Sequence, residues 1–178
     1  LLYMEIKLFK PQNLKLQKYI ECFYTLKRTQ DDEPFSYLTF PNNFTIHTID
    51  ANSATIIEKN SITATANAPL TGLDSFLAPY TNQPLLNKYE RGVVNEITIY
   101  FKPLGINAFL EKPLSFYYET QAPFIPFSDY QAKMIEILSV KNDEVKIAQL
   151  EKYWLSKLIG FEHSFLPSVI EELLNQDN

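Results

Sequence analysis

The clearest pattern in the chain is the alternation from Glu96 to Lys102. Successive side chains of a strand point to opposite faces, so Ile97, Ile99 and Phe101 share one face and Thr98, Tyr100 and Lys102 the other. Pro103 removes a backbone donor and Gly105 tolerates positive φ, so the strand is predicted to stop there. A short helical turn carrying Ile106, Phe109 and Leu110 should follow at once. Weaker alternations come earlier. Residues 1–9 read as an edge strand ended by Pro11, and residues 22–28 as a strand with Cys22, Tyr24 and Leu26 opposite Phe23 and Thr25. Between them, Leu16, Tyr19 and Ile20 fall on one helical face with Asn13 as its cap. Residues 35–40, 44–49, 54–58, 61–65, 75–78, 83–88 and 93–101 complete the strands, separated by clusters such as 29–34, 41–43 and 50–53. Strands that recur every ~8–12 residues between turn signals predict an all-β sandwich or barrel.

The period changes further on. Residues 113–127 read as an aromatic loop (Phe116-Tyr117-Tyr118, then Phe124 to Phe127). Residues 128–140 predict a helix with Met134, Ile135 and Leu138 on one face. Residues 142–159 predict a second, capped by Asn142-Asp143, with Val145, Ile147, Leu150, Tyr153, Trp154 and Leu158 inward and Gly160 at its C-terminal end. Residues 167–175 predict a third, using Val169, Ile170, Leu173 and Leu174. The expected fold class is α+β. An antiparallel β-barrel or sandwich spans 1–127, and a small C-terminal helical segment follows.

Charge and composition narrow the function. The net charge of −5 argues against a chain that grips phosphate backbones by itself. Aromatic residues reach 14%, a ring content that suits a β-rich core or an aromatic-lined pocket. The single Cys22 cannot form an internal disulfide, which fits a reducing compartment, and it reads as a small buried side chain. No apolar run approaches ~18 residues, so no membrane span is expected. The first residues lack a charged region followed by an apolar one, so no signal peptide is expected and the cytoplasm is the predicted location.

Catalytic and metal chemistry find little support. Two histidines in different segments, His47 and His163, and one cysteine make no metal cluster. There is no Gly-rich phosphate loop, no Gly-x-Ser-x-Gly and no His-Glu-x-x-His. The acidic runs 31–33 and 171–172 read as a loop and an exposed helix face. Neither enzymatic activity nor a cofactor or metal is expected. Binding is the better prospect, because inward residues of a small β-barrel can enclose one ligand. Tyr24, Tyr37, His47 and Tyr100, polar rings at strand centres, are the candidate ligand-binding residues. Each could instead be a core side chain with its polar atom satisfied.

Three stretches carry a resemblance. They are Leu16-Gln-Lys-Tyr-Ile-Glu-Cys-Phe-Tyr24, the turn Phe40-Pro-Asn-Asn-Phe44, and Ile97-Thr-Ile-Tyr-Phe-Lys-Pro-Leu-Gly105. In order and spacing, over about residues 11–165, the chain resembles the N-terminal domain of a subgroup of AraC-type transcription regulators. The corresponding patterns there are leu-x-x-tyr-ile-x-x-tyr-trp, pro-asp-gly and ile-x-phe-x-pro-gly-gly. This chain departs with Phe23-Tyr24 for Tyr-Trp, Asn42-Asn43 for Asp-Gly, and Leu104 for the first glycine of the pair. The resemblance implies a cupin-like β domain over 1–127 and a helical linker or dimerisation segment over 128–160. Residues 161–178 would then begin a DNA-binding domain that the chain does not complete. It also implies an unidentified small-molecule effector, a homodimer, and DNA contact only through the missing domain. A cupin-type enzyme or a ligand-free dimerisation scaffold are the alternatives.

Overall fold

The computed structural model describes residues 5–65, 72–79, 82–119 and 123–161, together with Leu166, Ser168, Val169 and Glu172. Among these lie nine strands and three α-helices: β1 (Glu5–Phe9), β2 (Ile20–Arg28), β3 (Phe35–Thr39), β4 (Thr45–Asp50), β5 (Ala54–Ile57), β6 (Ser61–Thr65), β7 (Asp74–Leu77), β8 (Leu85–Tyr89), β9 (Val94–Phe101), α1 (Leu114–Glu119), α2 (Tyr130–Leu138) and α3 (Asp143–Ser156). The third predicted helix and His163 fall wholly or mostly outside the described residues. Among the described residues no helix is long and apolar enough to cross a membrane.

The strands form two sheets. One is antiparallel with the order β1-β2-β9-β4-β7, and the other has the order β3-β8-β6-β5 with a parallel β6–β8 pair. Neither closes on itself, so of the expected barrel or sandwich the described residues show two open sheets. The exposed edge of β7 is covered: Phe124 N–H donates to Ser75 O at 2.8 Å and the Ser75 hydroxyl donates to Phe124 O at 2.6 Å. Covering an edge in this way removes a row of unpaired donors and acceptors.

The alternation of β9 decides the layering. Ile97, Ile99 and Phe101 are fully buried against the helices, in one core with Leu16, Phe23, Met134, Leu150 and Trp154. Trp154 meets the rings of Phe101 and Phe109 edge-on at 5.2 Å each, a favoured aromatic geometry. The helices α2 and α3 therefore pack onto one face of the five-stranded sheet. The other face looks toward the four-stranded sheet, giving three layers: sheet, sheet, helices.

The corner after β9 is tight for identifiable reasons. Lys102 N–H donates to Tyr19 O at 2.9 Å, which draws the corner onto the start of β2. A Cβ at position 105 would lie 2.1 Å from Tyr19 O, so only glycine fits. Leu104 takes φ 61°, ψ −1°, the left-handed region that glycine adopts freely and leucine does not.

Some sequence expectations need correction. The helix expected near Leu16 is a single 3-10 turn, Leu16–Lys18, because β2 begins at Ile20. The aromatic loop contains a short helix, α1. Asn142 does cap α3, accepting from Val145 N–H at 2.9 Å. That helix ends at Ser156, however, so Gly160 lies beyond its end. Val145 is exposed rather than inward.

Candidate functional site

Between the two sheets lies a small, largely enclosed cavity of about 40 Å³. The five-stranded sheet contributes Tyr24, Thr48, Glu96 and Tyr100, and the four-stranded sheet Tyr37, Asn87 and Tyr89, with Ile46, Ile62, Phe76 and Leu85 as apolar lining. Three of the four candidate residues meet here: Tyr24, Tyr37 and Tyr100. His47 does not. It alternates with Ile46 and Thr48, so it points through the sheet to the helical side, where it is fully buried.

His47 is held there as a neutral structural group. Its Nδ1 lies 2.9 Å from Phe76 O, which can only accept, so Nδ1 carries the hydrogen. Nε2 then accepts from the Tyr130 hydroxyl. Phe124 and Trp154 pack against the ring edge-on. Burial pushes its pKa down to about 4.

The one acidic residue of the cavity lining is Glu96, only 4% exposed. Nothing in the alternation of its strand singles it out. The Tyr89 hydroxyl donates to Oε2 at 2.8 Å and the Thr98 hydroxyl to Oε1 at 2.9 Å. The Thr48 and Thr98 hydroxyls are joined at 2.9 Å. Burial pushes the Glu96 pKa up to about 7, and the Asp50 charge adds to the rise; the Tyr89, Thr98 and Tyr24 hydroxyls pull against it. Asp50 stands directly across from Glu96 in the β4–β9 register, and Asp74 across from Asp50 in β7. Three carboxyls thus form a row across the inner face. Asp50 is braced by the Ser53 hydroxyl at 2.8 Å and by Asn52 N–H at 2.6 Å.

The tyrosines are positioned by ring packing. Phe35 stacks on Tyr89 at 4.7 Å with nearly parallel planes, and Tyr37 lies alongside. The Arg28 guanidinium caps the stack, 5.0 Å from the Phe35 centroid. Arg28 is itself fixed by donating to the Glu90, Asp32 and Glu33 carbonyls, at 2.8, 3.2 and 2.6 Å. This clasp ties the β2–β3 turn to the end of β8 and so places the Tyr89 hydroxyl on Glu96. Opposite, Tyr24 and Tyr100 tilt together at 6.0 Å. Tyr37 keeps 37% of its surface in solvent on edge strand β3 and forms the outer wall. Burial raises the pKa of all four tyrosines, that of Tyr100 to about 12, so their hydroxyls stay protonated near neutrality.

Such a site can accept and release a proton near neutrality, or hold a small polar ligand between rings. Among the described residues no His, Cys, Asp and Glu cluster is arranged to hold a metal ion. Cys22 is a half-buried free thiol whose pKa is raised by burial, the opposite of what an activated nucleophile needs. Comparison with known proteins finds no matching family model, no matching curated protein and no matching solved structure.

Proposed function

We propose that the chain is the effector-binding and dimerising domain of an AraC-type transcription regulator, cupin-like in design, with its effector held between the two sheets. The observation that carries this reading is the enclosed cavity, where Tyr24, Tyr37, Tyr89 and Tyr100 surround the buried Glu96. A desolvated carboxyl with a raised pKa beside a cavity supports this reading, because such groups concentrate at functional sites. The corner after β9 gives independent support. In the resembled pattern, two glycines follow the proline. Here the first position is left-handed and the second leaves no room for a Cβ, so both positions have the geometry that would call for glycine.

Binding is favoured over turnover. Glu96 has the properties of a general base, but about 40 Å³ accommodates roughly three water-sized atoms, too few for a substrate and its reacting partner together. The test is a thermal-shift screen of compounds of a few non-hydrogen atoms (small amines, alcohols, amides and acids), with light scattering for the oligomeric state. One class of small molecule should raise Tm, and the chain should run as a dimer that does not retard operator DNA. A monomer that no compound stabilises, or tight DNA binding by this chain alone, overturns the reading.

A further inference from the structure

We infer that the cavity is built for a small organic ammonium ion, and that Glu96 is its counter-charge. This rests on reading the cavity as an effector site. It names the class of effector.

The polar inventory points to a donor with positive charge. Glu96 offers carboxylate oxygens and sits in front of two further carboxyls, Asp50 and Asp74. Asn87 has both amide hydrogens engaged, with Thr39 Oγ1 at 2.9 Å and Leu85 O at 3.2 Å, which leaves its carbonyl oxygen as the free polar atom. Lys88 is the only cationic residue among the described lining, and it is exposed, alternating with the inward Asn87 and Tyr89. An anion would meet Glu96, with Asp50 and Asp74 in register beside it on the neighbouring strands. The Glu96 oxygens accept from the Tyr89 and Thr98 hydroxyls but meet no cation among the described residues, so the charge they carry when ionised is unbalanced.

The walls suit a cation as well. Tyr24 and Tyr100 on one sheet and Tyr37 and Tyr89 on the other present rings to a common space. Ring faces attract ammonium groups within about 6 Å. The site joins such rings to one desolvated carboxyl, and both attract a cation. Size sets the rest. A cavity of about 40 Å³ takes a ligand of roughly three non-hydrogen atoms, the size of ethylammonium or dimethylammonium. Tyr37, the one exposed ring of the four, is the natural way in.

Proton competition gives the inference a distinctive signature. Glu96 is protonated below about 7, and an ammonium ion needs the carboxylate. The groups facing Glu96 are Tyr24, Tyr37, Asp50, Tyr89 and Tyr100. The tyrosines remain neutral across this range, and Asp50 adds to the pull on a cation.

The experiment uses the whole chain, with ethylammonium chloride as the probe. Ethanol, which has the same number of non-hydrogen atoms but no charge, and sodium chloride at equal ionic strength serve as controls. Ethylammonium should raise Tm at pH 8 where neither control does. Its affinity, by calorimetry, should fall about tenfold per pH unit below 7, with one proton released per ligand bound. Glu96→Gln should abolish both effects. Should that variant not fold, the pH slope of the unaltered chain remains decisive. Equal stabilisation by ethanol, or a flat pH profile, overturns the cation inference and leaves the effector-site reading standing. Silence from ethylammonium overturns the inference too, and silence from every compound in the wider screen overturns both.

Discussion

The two faces of the five-stranded sheet are made by the same strands and do opposite work. Along β9, Ile97, Ile99 and Phe101 enter an apolar core sealed by α2 and α3. One residue out of phase, Glu96, Thr98 and Tyr100 enter a polar space beneath the second sheet. The same holds on β4, where His47 and Ile49 face the helices and Thr48 and Asp50 face the other sheet. On the helical face His47 is neutral and paired through both ring nitrogens, the buried Lys146 donates to Asn95, and the Trp154 indole N–H is buried without a partner. On the inner face a carboxyl is kept buried although its charge is disfavoured. The first face buries its few polar groups among rings and aliphatic side chains, whereas the second gathers hydroxyls around a buried carboxyl beside a cavity.

The largest expected contrast lies in truncation. Trp154→Ala removes the ring that joins Phe101, Phe109 and Phe127 on the helical face. It should destabilise by about 3–5 kcal/mol in urea unfolding. Tyr100→Phe on the inner face deletes a hydroxyl from a half-buried ring and should cost less than about 1 kcal/mol. Comparable losses for the two would mean that the inner face is an ordinary core, and the distinction would collapse.

Next in size is a pair of pH profiles with opposite slopes. Glu96 has an ordinary value of 4.5 and about 7 when folded. Through that window the folded chain holds a proton that the unfolded chain has released, so stability falls as pH rises. His47 has an ordinary value of 6.5 and about 4 when folded. The unfolded chain is then the one that holds the extra proton, so stability falls as pH drops through 6.5 toward 4. Each displacement is worth about 3 kcal/mol across its window. Glu96→Gln should therefore gain on the unaltered chain as pH climbs from 4.5 to 7, and His47→Gln should gain as pH drops from 6.5 to 4. Chemical unfolding at half-unit pH intervals measures both. Difference profiles of the same sign would show that the two groups do not occupy the environments assigned to them.

These contrasts also mark what could be read in the chain itself. Alternation is local, so the division of β9 into two faces and the stop at Pro103 were legible residue by residue. Asn142 was legible as a cap because its partner, Val145, lies three residues away. What covers each face is decided far away in sequence. Glu96 looks like the polar end of a strand until β8 is laid over it, and β8 is held in place by its parallel pairing with β6 and antiparallel pairing with β3. His47 was placed with the tyrosines because each is a polar ring at mid-strand. The phase of β4 against β9 sends it to the other side, and that register is set by pairing that no short window contains. Tyr89, at the end of its strand, gave no signal beyond its ring; only the stack under Arg28 and Phe35 brings its hydroxyl to the carboxyl.

The smallest expected effect sits at the corner where both faces end. Leu104 holds a left-handed backbone with φ 61°, a conformation that costs a residue bearing a Cβ about 1 kcal/mol or more. Leu104→Gly relieves that strain, and the side chain it removes lies outside the buried core of both faces. The added freedom of glycine in the unfolded chain offsets part of the gain. The net result should be a stabilisation of roughly 0.5 kcal/mol, seen as a higher urea midpoint with an unchanged slope. The position lies outside the cavity, so the response of Tm to any effector should be untouched. A loss of stability on placing glycine there would show that the leucine side chain contributes packing that outweighs its strain. The corner would then belong to the apolar face rather than serve as a neutral joint between the two.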